Sequence, residues 1–136
     1  MMATPECRDY SILIADDDGN AREALRQIME PEGFRTLMAS SGEEALDLLH
    51  EAPVHLLLLD MHMRTLTGLE TLRLARQSNA MLPAILVTGE ASESLLRAAA
   101  QEHVYSVIPK PVSKNVVLYT VVRALARSYG RPGRRW

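Results

Sequence analysis

The chain has 136 residues, a formal net charge of −2, 47% hydrophobic and 24% charged residues, and one cysteine, Cys7. That is one ordinary domain with material for a real core; it excludes extended disorder, collagen-like repeats, coiled coil, a disulfide framework and a cysteine-rich zinc site. No apolar run reaches the length of a membrane span, and the start MMATPECRDY lacks the basic-then-apolar pattern of a signal peptide, so a cytoplasmic protein is expected.

Residues 11–15 (SILIA) read as a buried strand. Ala21, Ala24, Leu25, Ile28 and Met29 share one helical face, and Pro31 with Gly33 stops that helix. Residues 34–39 (FRTLMA) read as a second strand. Ser41-Gly42-Glu43-Glu44 has capping-box spacing and opens a helix with Ala45, Leu46 and Leu49 inward. Residues 54–59 (VHLLLL) form an apolar run that stops at Asp60, and Leu69, Leu72 and Ala75 mark a third helix. Residues 83–87 (PAILV) read as a fourth strand, ending at Thr88-Gly89. An Ala/Leu helix is expected over 92–102 and a short fifth strand over 104–108, ending at Pro109-Lys110-Pro111. The last helix is expected over 113–127. Val117, Val121, Ala124 and Leu125 make its core stripe; Val116, Leu118, Tyr119 and Val122 exceed one face and are expected to offer a partner surface.

Strands apolar on both faces and separated by helices predict an α/β fold, a parallel sheet covered on both sides. Ligands in such sheets bind beyond the carboxyl ends of the strands. The polar residues there are Asp16, Asp17 and Asp18 after the first strand, Asp60 after the third, Thr88 after the fourth and Lys110 after the fifth. Charge is polarised along the chain as well: 14 acidic and 5 basic residues through Thr71, then 3 acidic and 10 basic. Carboxylates gathered at one edge repel one another and call for a hard divalent cation, which oxygen donors satisfy. A hydroxyl and an ammonium beside them suit a bound anionic group. Together these are the parts that stabilise charge in phosphoryl transfer.

The sequence resembles the receiver domain of two-component response regulators over residues 10–127. The matching stretches are ILIADDDGNAR, LLLLDMHMRTLTGLE, ILVTGE and VIPKP, in order and at the strand ends. The resemblance implies a flavodoxin-like (CheY-like) doubly wound sheet of five strands, order 2-1-3-4-5, with five helices. It implies that Asp60 accepts a phosphoryl group from a phosphohistidine of a sensor histidine kinase or phosphotransfer protein. Asp16, Asp17, Asp60 and the backbone carbonyl of His62 would hold Mg²⁺. Lys110 would pair with Asp60 and the phosphoryl group, Thr88 would sense that group, and Lys110-Pro111 would be cis. A downstream protein or a second copy would bind through the face of the fourth helix, fifth strand and fifth helix. Residues 1–9 are expected as a flexible tail, and 128–136 as a basic tail or linker stub too short for an output domain.

The sequence departs from the family at Arg64, where proline is usual, at Gly89, at His103-Val104 and at Val107, where an aromatic is usual. Tyr105 lies two residues before Val107, on the same strand face by parity, and is the candidate substitute. His62 and Glu90 occupy positions that tune phosphate lifetime in the family. Two other readings compete: a receiver-like interaction module that is never phosphorylated, and a haloacid-dehalogenase-like phosphatase using Asp16 as nucleophile and Asp18 as acid/base. The second lacks any acidic residue beyond Lys110 for its metal. Arg22 reads as a surface or interhelical ion-pair residue. The four histidines show no metal-ligand spacing, and the basic tail, without interleaved aromatics, predicts no direct nucleic-acid binding.

Overall fold

A computed structural model describes residues 7–130. A 3-10 turn at Cys7–Asp9 leads into five strands alternating with five helices: β1 Ser11–Ala15, α1 Gly19–Met29, β2 Arg35–Ala39, α2 Gly42–Glu51, β3 Leu56–Asp60, α3 Gly68–Ala75, β4 Ala84–Thr88, α4 Glu93–Gln101, β5 Ser106–Pro109 and α5 Lys114–Tyr129. The strands form one parallel sheet in the order β2-β1-β3-β4-β5, as expected.

Side chains alternate across this sheet, and so divide the core in two. Ile12, Ile14, Leu56, Leu58, Ile85 and Ile108 pack against α1 and α5, through Leu25, Met29, Val117, Val121, Ala124 and Leu125. Leu13, Leu57, Leu59, Ala84 and Leu86 pack on the other side, against Ala45 of α2, Leu69 and Leu72 of α3 and Ala99 of α4. Every residue of β1, β3 and β4 is buried. Each large aliphatic side chain taken fully from water contributes about 2 kcal/mol, which explains why these strands read as unbroken apolar runs.

Several boundaries differ from the sequence reading. β3 begins at Leu56, because His55 turns out of the strand to receive the Ser11 N–H on its Nδ1 at 2.9 Å. β5 begins at Ser106, because His103 takes a positive φ of 56° and the chain bends before entering the sheet. Tyr105 therefore precedes the strand, and the parity argument fails. Tyr105 packs with the α1/α5 side of the core and Val107 with the opposite side. Of the surplus apolar residues on α5, Val116 and Tyr119 are exposed, whereas Leu118 and Val122 pack against the core. Cys7–Asp9, expected within a tail, contact β2, and α5 runs to Tyr129. The rest of the two expected tails, 1–6 and 131–136, lies outside the described residues.

The helix starts follow the chemistry of their caps. Asp18 accepts from Asn20 N at 3.0 Å and caps α1, while Ser41, Ser92 and Ser113 cap α2, α4 and α5. The box expected at Ser41 is half formed, since the Glu44 carboxylate goes to Ser40 N instead. The complete capping box is at Thr67 and Glu70. Gly68 opens α3 against the end of β3: a Cβ there would stand 2.6 Å from the Asp60 carbonyl oxygen. That close approach fixes the loop following Asp60, with Gly68 N donating to Met61 O at 3.0 Å.

Candidate functional site

Register delivers the polar residues to one edge. Beyond the strands the ladder continues by one bond each: Asp16 N to Ala39 O at 3.1 Å, Met61 N to Val87 O at 3.2 Å and Lys110 N to Thr88 O at 2.8 Å. Asp16, Asp17 and Asp60 each present one carboxylate oxygen, and these oxygens lie within 4.8 Å of one another. Asp16 and Asp60 are 1% and 5% exposed, so the charge they carry is taken from water.

Lys110 bridges the two buried acids. Its Nζ lies 2.9 Å from Asp16 Oδ2 and 3.3 Å from Asp60 Oδ1. Asp16 Oδ1 is occupied by the Asp18 N–H at 2.9 Å. Burial raises the pKa of the Asp60 carboxyl, as does the neighbouring Asp16 charge; Lys110 and the backbone N–H of His62 offset part of this. Burial works against the Lys110 ammonium, yet its bonds to Asp16 and then Asp60 outweigh it and raise the lysine pKa. The site thus holds one cation against a cluster of carboxylates. The donor set is all oxygen, compact and partly buried, which fits a small hard divalent cation.

Thr88 is fully buried at the end of β4. Its hydroxyl accepts from Glu90 N at 3.2 Å and donates to Glu90 O at 3.3 Å, so in this conformation it is held by the loop leading to α4. Ser92, not Thr88, caps that helix. The side chains of His62, Arg64 and Glu90 are exposed around the site, and Lys110-Pro111 is cis. Asp18 is exposed, and its Oδ1 accepts from Asn20 N at the start of α1. Among the described residues no histidine joins a metal-binding group.

Arg22 has a contact that sequence reasoning missed. Its Nη1 donates to the backbone carbonyl of Asp16 at 2.6 Å, so besides the charge it directs at Glu44 of α2 it supports the acidic loop. One signal was available: a lone cation in the first turns of a helix opposes the helix dipole and asks for a local acceptor.

The sequence matches the family described as response regulator receiver domain over residues 12–122. It is 34% identical over 118 residues to the transcriptional regulatory protein CpxR of Escherichia coli strain K12, covering 87% of this chain and 50% of that protein. It is 30% identical over 119 residues to the response regulator RR06 of Streptococcus pneumoniae, covering 88% of this chain and 54% of that protein. The chain spans about half the length of these relatives. The expectation of no direct nucleic-acid binding finds no support in these relatives, since CpxR is a transcriptional regulatory protein. Among solved structures, the CheY-like receiver domain protein of Methanospirillum hungatei JF-1 superposes with a TM-score of 0.83 at 28% identity, covering 88% of this chain and 95% of that one. The phosphatase reading falls with these matches. The fold and the order of its strands agree with them, and the chain belongs to the response regulator receiver domain family.

Proposed function

We propose that Asp60 is the phosphoacceptor of this receiver and that Asp16, Asp17, Thr88 and Lys110 serve its chemistry. The observation that carries this reading is the buried pair of carboxylates bridged by Lys110, with Asp17 alongside, at the carboxyl edge of the sheet. One Asp60 oxygen forms a bond to phosphorus while the bond from phosphorus to the imidazole nitrogen of a donor phosphohistidine breaks, and the imidazole leaves with that electron pair. The arriving group brings negative charge to an edge already rich in it. Lys110 meets that charge, and is placed to turn from Asp16 toward the new oxygens. Asp16, Asp17, Asp60 and the His62 carbonyl would hold Mg²⁺, which when bound neutralises charge on the transferring oxygens. Thr88 is the sensor: to donate to a phosphoryl oxygen, its hydroxyl gives up the Glu90 backbone.

The partners assigned are a sensor histidine kinase or phosphotransfer protein as donor, and a downstream protein or second copy on the face of α4, β5 and α5. There Leu96, Val116 and Tyr119 are exposed. The output is a shift in partner affinity, not turnover of a free metabolite. The setting assigned is the cytoplasm; no helix of the described residues is long and apolar enough to cross a membrane. The test is intact mass after incubation with a small-molecule phosphodonor and Mg²⁺. One phosphoryl group is expected, absent from Asp60→Asn and absent with EDTA. No gain in the wild-type chain would leave the unphosphorylated interaction module as the better reading.

A further inference from the structure

Asp16 is fixed at every polar atom of its residue. Its N–H donates to Ala39 O at 3.1 Å, Oδ1 accepts from Asp18 N at 2.9 Å and Oδ2 accepts from Lys110 Nζ at 2.9 Å. Its carbonyl accepts from Arg22 Nη1 at 2.6 Å. That carbonyl belongs to the peptide plane shared with Asp17, at the point where β1 has ended. Fixing its oxygen fixes the direction in which Asp17 leaves the sheet. Arg22 itself is half-buried on α1, and its charge acts on Glu44 of α2, which in turn ties down Ser40. Arg22 therefore stands between the loops that follow β1 and β2.

We propose that Arg22 is a positioning residue for the divalent cation: by holding the Asp16–Asp17 peptide it aims both carboxylates at one point with Asp60. The proposal rests on the reading of that cluster as the Mg²⁺ site. It opposes the simple electrostatic expectation. A cation near a cluster of carboxylates competes with a bound metal, so if Arg22 acted by charge alone, its removal would tighten metal binding. A positioning role reverses the sign.

The test is Mg²⁺ affinity of the full chain by isothermal titration calorimetry, for the wild type and for Arg22→Ala, Arg22→Gln and Arg22→Lys, with Asp17→Asn as control. Arg22→Ala is expected to bind Mg²⁺ about tenfold more weakly or worse, the scale on which groups supporting metal ligands act. Arg22→Lys keeps a donor for the carbonyl and is expected to recover part of that loss. Thermal melts without metal report whether each variant is folded; Arg22→Gln keeps much of the aliphatic stem that Arg22 packs on α1, without its charge, and carries the test where Arg22→Ala does not fold. With a small-molecule phosphodonor, the Mg²⁺ concentration for half-maximal phosphorylation rises by the same factor, while the rate at saturating Mg²⁺ stays within about twofold, as lost metal binding alone requires. Unchanged or tighter Mg²⁺ binding in Arg22→Ala and Arg22→Gln overturns the proposal. A wild-type chain that binds Mg²⁺ no better than Asp17→Asn overturns the metal reading, and this proposal with it.

Discussion

Lys110 is bonded more closely to Asp16 than to Asp60: 2.9 Å to Oδ2 of the first and 3.3 Å to Oδ1 of the second. The lysine thus rests on the carboxylate that supports the site, leaving the proposed acceptor only partly neutralised. Lys110→Ala is expected to slow phosphorylation by a small-molecule donor about a hundredfold, the scale for removing one preorganised charge-stabilising group. Time courses of intact mass at saturating Mg²⁺ measure it. A rate within a factor of two of wild type would remove Lys110 from the mechanism.

Asp60 carries a raised pKa because it is buried and faces Asp16. Its contribution to stability is therefore favourable below the ordinary carboxylate value of 3.8 and is lost as pH rises through the raised value. At neutral pH without divalent cation the buried Asp60 carboxyl therefore destabilises the fold. Asp60→Asn is expected to raise Tm at pH 7 in EDTA by on the order of 3 °C, the response of a chain this size to about 1 kcal/mol. Added Mg²⁺ should raise the wild-type Tm and leave the variant nearly unmoved. Calorimetric scans with and without Mg²⁺ decide this, and a variant less stable than wild type in EDTA contradicts it.

Gly68 leaves no room for a methyl group beneath the Asp60 carbonyl. Gly68→Ala forces α3 away from β3 and is expected to cost about 2 kcal/mol, as overpacking typically does. Urea unfolding measures it. Because the shift falls on the loop that carries His62, the rate of phosphorylation should fall with it.

His55 lies at the opposite end of the sheet, edge-on to Tyr10 and Tyr129, with its Nδ1 accepting from Ser11 N. Burial lowers its pKa below 6.5, and the charge of Arg35 adds to this. The folded chain binds the proton less well than the unfolded one, so the stability contributed here is complete above pH 6.5 and is lost as pH falls through the lowered value. Urea midpoints of Asp60→Asn, which lacks the opposing Asp60 titration, are expected to fall between pH about 7 and 5. Nuclear magnetic resonance titration of the imidazole tests the cause; a His55 pKa at or above 6.5 would contradict it.

The parts of the fold visible in the sequence were those governed by burial. Leu56, Leu57, Leu58 and Leu59 had to be enclosed on both faces, and the polar residues ending such strands had to gather at one edge. Asp16, Asp17, Asp60 and Lys110 do so. What escaped was decided by backbone geometry. The positive φ at His103 moved the start of β5 and sent Tyr105 to the other side of the sheet from Val107. Arg22 escaped for a related reason: its partner is a carbonyl, and every residue has one.

β5 forms an outer edge of the sheet with only four residues, and the last is Pro109, which has no N–H to give. An outer strand this short, ending in an imino acid, is a poor template for another chain to extend. Proteins that meet this receiver at that margin must grip it by side chains and helix surfaces, so recognition there is set by shape and chemistry rather than by main-chain pairing. The same economy makes this edge of the sheet a poor site for edge-to-edge aggregation at high concentration.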